Sequence, residues 1–192
     1  MNYLAHLYFS DLTPDSCVGQ LLPDCMPPAR LPDSASDELR RHAALHQHID
    51  LFTDHHPAVL ALRRQFEPPY RRFAGVLIDV FFDHYLARHW AHHSQIPLAE
   101  FAQQVYAAMA RYHGPENERL RGLRLALIRH QWLLRYATRT GMDRALCNLE
   151  RRSRFNTPLT TAVNLLDTHG SRIEDTFEQF FPELTVSVAA AR

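Results

Sequence analysis

The chain has no lysine, and all 21 of its Lys-or-Arg positions are arginine. The bland reading of that preference is codon bias, so where the charge lies says more than which residue carries it. Cysteine is scarce as well. Cys17, Cys25 and Cys147 form no C-x-x-C pair, and an odd number leaves one unmatched in any disulfide scheme. That argues against zinc–thiolate chemistry and for a reducing compartment. Asp, Arg or His interrupts every apolar run well short of the roughly 18 residues that a membrane span needs. The opening Met1-Asn2-Tyr3-Leu4-Ala5-His6 lacks the basic flank and apolar stretch of a signal peptide. A cytoplasmic chain with no membrane partner is the expectation. No serine-nucleophile motif, phosphate-cradling glycine loop or dinucleotide fingerprint is present to suggest those chemistries.

What is present is an ordinary globular composition, 46% apolar and 22% charged over 192 residues, enough for one domain with a sizeable core. The net charge is zero but unevenly spread. Residues 1–60 carry eight acids against three Arg, whereas residues 111–154 carry eleven Arg against four acids. An acidic half facing a basic half suggests an anionic macromolecule docked beside a cation-binding pocket. The neutral balance speaks against nucleic acid.

Apolar residues recur at three and four positions with no strand alternation. This predicts an all-α, compact single-domain bundle of about eight to nine helices over residues 1–184, with a frayed tail over 185–192. Helices are expected at about 2–10, 14–22, 37–53, 57–66, 72–92 and 97–114. A long one follows at 115–139, stopped by Gly141, then a shorter one at 142–152. The last runs from the Thr157-Pro158 cap to Pro182, with a bend at Gly170. The Pro- and Asp-rich loop 23–37 is the longest irregular stretch.

Three groups of residues could carry chemistry. His42, His46, Asp50 and Asp54 recur every four residues, one above another beside the core stripe of Leu45, Ile49 and Phe52. A His and an Asp so spaced can share a metal ion; the bland reading is a His–Asp hydrogen bond, with Asp54 capping the helix that Pro57 opens. Asp79 and Asp83 share one face of the most apolar helix, with His84 about 100° round. Two buried carboxylates are costly unless paired, protonated or bound to a cation, and the bland reading is a salt bridge such as Asp83 to Arg88. Asp24, after Leu21-Leu22-Pro23, and His6, among Leu4, Ala5 and Leu7, read singly as a turn aspartate and a core histidine. Taken together, hard oxygen donors with imidazole and no thiolate suit Mn, Fe, Mg or Zn in a hydrolytic site.

At these residues the sequence resembles the acyl carrier protein (ACP) phosphodiesterase family, also called ACP hydrolases. The matching segments are Met1-Asn2-Tyr3-Leu4-Ala5-His6-Leu7, Gly19-Gln20-Leu21-Leu22-Pro23-Asp24, His46-x-x-Ile49-Asp50-x-x-Thr53-Asp54-x-x-Pro57 and Asp79-Val80-x-x-Asp83-His84-x-Leu86-x-Arg88-His89-Trp90. Gln131-Trp132-Leu133, Arg135-Tyr136 and Arg151-Arg152-x-Arg154 follow in the family's order, while His42 and His48 fall outside its pattern.

The resemblance implies a metal-dependent enzyme, distantly related to HD-domain phosphohydrolases, that removes 4′-phosphopantetheine from the serine of holo-ACP. The cofactor implied is a divalent cation, Mn2+ first, with Mg2+ or Fe2+ as alternatives. Asp24, His46, Asp50 and Asp79 are then the metal ligands. Asp83, His84, Asp54 and His6 are catalytic candidates, with His84 as the general acid. Arg88, Gln131, Trp132, Arg135, Arg152 and Arg154 are substrate-binding candidates, and Arg121, Arg124, Arg129 and Arg135 would steer the acidic carrier protein in. The adjacent pair Asp83-His84 reverses the His-Asp order of HD enzymes, so ligands are not copied from them. A phosphohydrolase acting on a nucleotide or other small diester, and a non-catalytic helical binding module, are the rival readings.

Overall fold

Short polar side chains begin the helices where the apolar period starts. Thr13 and Ser16 cap each other reciprocally at the start of α2 (Pro14–Gly19). Ser36 accepts the Leu39 amide to open α3 (Asp37–His55), whose first turn carries Asp37 and Glu38 against the helix dipole. Asn117 does the same for Leu120 in α8 (Glu118–His130). The computed structural model describes residues 1–152 and 157–192, with the backbone alone at Arg152.

Among the described residues there are eleven α-helices and no strand. Besides those above they are α1 (Tyr3–Tyr8), α4 (Pro57–Arg63), α5 (Ala74–Arg88), α6 (Trp90–His93), α7 (Leu98–Ala110), α9 (Trp132–Arg135), α10 (Arg139–Arg152) and α11 (Leu165–Ala191). Three short 3₁₀ segments join them at Pro28–Arg30, Arg71–Phe73 and Leu159–Asn164. No described helix is long and apolar enough to cross a membrane.

Helix α5 lies at the centre, buried on nearly every face, because its apolar residues surround it rather than forming one stripe. Phe82 meets Phe177 and Phe180 of α11 at 5.6 and 5.3 Å between ring centroids, and Phe177 and Phe181 stack at 5.0 Å. Helix α1 packs against α5 with Leu4, Ala5 and Leu7 fully buried. Its N-terminus therefore ends at the middle of the domain.

The helix count exceeds the expected eight to nine because two long helices are broken. The 72–92 segment divides at His89. The 115–139 helix ends at Gln131, whose left-handed φ of 48° turns its amide back to Leu127 and Ile128. Gly141 stops nothing. It lies in the first turn of α10, where a Cβ would stand 1.8 Å from the Arg135 carbonyl oxygen, so close backbone approach is what demands glycine. The expected frayed tail is helical: α11 continues through Pro182 to Ala191 with Val188 buried, and Arg192 donates to the Phe9 carbonyl at 2.6 Å.

Candidate active site

Helix α3 places His46 and Asp50 one turn apart on its inner border. The Gln20 carbonyl oxygen can only accept, so the His46 contact at 2.8 Å fixes the proton on Nδ1 and turns Nε2 inward. That nitrogen lies 3.0 Å from Asp50 Oδ2 and 3.8 Å from Asp24 Oδ1. His6 arrives from α1 and stacks on His46, ring centroids 3.8 Å apart. Its Nε2 contacts two acceptors, Asp50 Oδ1 at 3.1 Å and the Met1 carbonyl at 3.2 Å, and so carries the proton. His6 Nδ1 is then a buried lone pair with no partner among the described residues. Asp79 comes from α5. Its Oδ1 accepts from the Met1 ammonium at 3.0 Å, and the same ammonium lies 3.5 Å from Asp50.

The electrostatics follow from burial opposed by pairing. Burial pushes the Asp24 and Asp79 carboxyls upward, His46 and the Met1 ammonium respectively restraining the rise. Asp50 is also penalised by burial, yet its bonds to His46 and His6 hold it well below the usual carboxylate range. His6 is pulled down to about 3 by burial and by the neighbouring His46, and stays neutral. His46 rises despite burial because of Asp50. The Met1 ammonium, buried as it is, is raised to about 10 by Asp79 and Asp50.

Asp24 and Asp79 open onto a cavity of about 200 Å³ whose other walls include Asn2, Tyr3, Leu149 and Arg119. His6, His46 and Asp50 bring three donor atoms within 4.8 Å of one another just behind it. Carboxylate oxygens with imidazole and no thiolate fit a hard divalent metal. Arg119 was one of many arginines in a basic segment, and no sequence signal singled it out. The Gln20 carbonyl that orients His46 was equally invisible, because any residue has one.

Five of the expected site residues thus meet: Asp24, His46, Asp50, Asp79 and His6. Others do not, and each has a different task. Both oxygens of Asp83 are taken by the Leu4 and Ala5 amides, at 2.7 and 3.0 Å, so Asp83 caps α1 from another helix. Burial nonetheless pushes its carboxyl up to about 7. His84 donates from Nδ1 to the Tyr136 carbonyl at 2.6 Å and lines a separate cavity with Arg88 and Arg139. It is therefore not placed to serve the acidic pole as general acid. Asp54 is exposed and paired with Arg63 at 3.0 Å. His42 pairs with Asp11 at 2.8 Å, and Arg41 and Arg192 already neutralise that carboxylate.

Among the expected substrate contacts, Trp132 and Arg135 line a slot next to the acidic cavity. Gln131 is the left-handed residue that ends α8. Arg88 is with His84, 5.8 Å over the Tyr85 ring. The Arg152 side chain and Arg154 lie outside the described residues. Arg124 is buried, holding Glu116 through two nitrogens and the Met109 carbonyl, so it belongs to the core and not to a docking face.

Fold and site define an all-α protein whose separate helices deliver carboxylates and imidazoles to one acidic pole. The family model described as acyl carrier protein phosphodiesterase matches residues 1–184. An acyl carrier protein phosphodiesterase of Enterobacter sp. (strain 638) is 33% identical over 190 residues, covering 97% of this chain and 96% of that protein. One of Klebsiella pneumoniae subsp. pneumoniae is 31% identical, covering 96% and 95%, and one of Pectobacterium atrosepticum is 30% identical with the same coverage. The chain belongs to the acyl carrier protein phosphodiesterase family and is an enzyme. No solved structure matches it significantly, and the expected likeness to HD-domain phosphohydrolases is not shown.

Proposed function

We propose that this enzyme hydrolyses the phosphodiester joining 4′-phosphopantetheine to the serine of holo-ACP, leaving apo-ACP, with a divalent cation at the acidic pole. The observation that carries the reading is the convergence of Asp24, His46 and Asp50 beside Asp79 at one cavity. The names of its relatives supply the carrier protein as substrate. Asp24, His46 and Asp50 would hold the cation, with Asp79 and His6 beside them. Mn2+ is the first expectation, and Mg2+ or Fe2+ also suit these donors. When bound, such a cation supplies Lewis acidity toward a phosphoryl oxygen and lowers the pKa of water.

The chain's own residues do the rest. Gln20 keeps the His46 lone pair turned inward, and the neutral His6 fixes the ionised Asp50 through its Nε2–H. Arg119, at the cavity wall beside Asp24, is positioned to neutralise the diester's negative charge. The exposed arginines Arg121 and Arg129 lie on α8, the helix that also carries Arg119, and suit the acidic surface of a carrier protein.

Incubating holo-ACP with the enzyme and Mn2+ and weighing the product by mass spectrometry tests the reading. Loss of one phosphopantetheine per carrier protein is expected. An unchanged mass, with turnover of nucleotide diesters instead, overturns it.

A further inference from the structure

Gln20, wholly buried at the end of α2, bridges two consecutive turns of α3. Its backbone carbonyl accepts from His46 Nδ1 at 2.8 Å, and its side-chain amide meets His42 Nδ1, one turn earlier, at 3.3 Å. His42 is buried as well, and its other ring nitrogen, Nε2, lies 2.8 Å from Asp11 Oδ2. We propose that His42 is a positioning residue for the acidic pole. Anchored on Asp11, it clamps Gln20, and the Gln20 carbonyl in turn holds the His46 ring with Nε2 toward Asp24 and Asp50. The inference rests on the reading of His46 as a metal ligand and adds what keeps that ligand aimed.

Each bond in this relay has a defined direction. A carboxylate only accepts, so His42 Nε2 carries the proton, and the Nδ1 lone pair accepts from the Gln20 amide. Both ring nitrogens are then in use, and His42 has no lone pair left for a cation although Asp11 and Glu38 stand close to it. Arg41 and Arg192 also meet Asp11, at 3.5 and 3.2 Å, so that carboxylate is an anchor and not a metal ligand. The backbone tightens the clamp. A Cβ on Gly19 would stand 2.6 Å from His42 Cβ and 2.8 Å from the Leu39 carbonyl oxygen, so α2 rests directly on α3 at this turn. Helix ends leave carbonyls without an intrahelical donor, and this one is given to His46. Gln20 Oε1, by contrast, is buried with no partner among the described residues. An unpaired buried oxygen is costly, and a leucine would fill the same place without it. What the amide supplies in return is its bond to His42.

The test uses the full chain and reads the His46 ring itself. In the metal-free wild type, nitrogen-edited NMR should show the His46 Nδ1 proton exchanging slowly with water. His42→Ala should speed that exchange about tenfold, because loss of one bond from the clamp makes local opening easier. It should also weaken Mn2+ binding about tenfold in calorimetric titration, the low end of the range for groups that orient metal-bound histidines. His42→Asn puts an amide oxygen where Nδ1 was, keeps the bond to Gln20 and should restore both values. His42→Gln reaches Asp11 but not Gln20 and should restore neither. Gln20→Leu keeps the carbonyl without the amide and should match His42→Ala, which it replaces should that variant fail to fold. Wild-type exchange in His42→Ala and Gln20→Leu, or an equal loss in His42→Asn and His42→Ala, overturns the proposal, and His42 then only packs α2 on α3. If the wild type binds no Mn2+, the metal reading falls, and the exchange rates alone decide whether His42 positions the ring.

Discussion

The imidazoles of His6 and His46 lie stacked, 3.8 Å apart and 13° from parallel, and each presents its Nε2 to a different oxygen of Asp50. Two charged rings at that spacing would repel strongly, so only one can be an imidazolium. Burial selects His6 as the neutral partner and the Asp50 charge makes His46 the basic one. One carboxylate thereby sets the state of both rings, and the first expectation concerns it.

Asp50→Asn removes that control. Residues that merely orient a ligand typically cost about 10–100-fold in metal affinity or activity, so a direct ligand should cost more than about 100-fold. Calorimetric titration with Mn2+ and the mass-shift assay on holo-ACP are the measurements, with circular dichroism to show retained helix. Wild-type affinity in the variant removes Asp50 from the metal set.

Asp83→Ala separates structure from chemistry. It strips the Leu4 and Ala5 amides of their shared acceptor in a dry environment. An unsatisfied buried group costs about 1–3 kcal/mol, and a chain of this size loses about 2–4 °C of Tm per kcal/mol. A clear fall in the melting temperature is expected; an unchanged one means that water replaces the carboxylate.

The same residue sets a pH dependence. Its carboxyl titrates near 7 when folded because burial outweighs the two amides, but near the ordinary 3.8 when unfolded. Between those values the folded state holds a proton that the unfolded state has released, so this group's contribution to stability declines as pH rises from about 4 to about 7. Above that window it is constant. Urea denaturation across the range should show wild type losing ground against Asp83→Asn with rising pH; parallel curves contradict it.

Salt should act on encounter more than on turnover. Arg121 and Arg129 are exposed on α8, whereas Arg124 is committed to Glu116. Raising ionic strength screens exposed charges over about 10 Å at 0.1 M. KM for holo-ACP should therefore climb with salt much more than kcat falls, and Arg121→Ala with Arg129→Ala should flatten the climb. A KM indifferent to salt removes electrostatic docking.

Deleting residues 185–192 should destabilise the domain. Val188 is almost fully buried, and burying a Val side chain contributes roughly 1.5–3 kcal/mol. The Arg192 bond to Phe9 is lost as well. Thermal melting of the truncated chain checks this, and an unaltered melting temperature would mean that the end of α11 contributes nothing.

The sequence alone determined what depends on neighbours in the chain. Pro14 and Pro57 mark where their helices open, and the four-residue interval of His46 and Asp50 places them one turn apart, since both are local geometry. Periodicity also identified α5 as central, because a helix apolar all round has nowhere else to go. Only the tertiary structure decided which polar groups serve the site. Asp79 and Asp83 read identically, two carboxylates on one face of one helix. Yet their separation of a single turn sends the first to the Met1 ammonium and the second to the amides of α1. That choice rests on where α1 docks, a contact across about eighty residues that no local pattern encodes. The same holds for His84 and for Arg119: a side chain's task is set by what packs opposite it, and packing is a property of the whole chain.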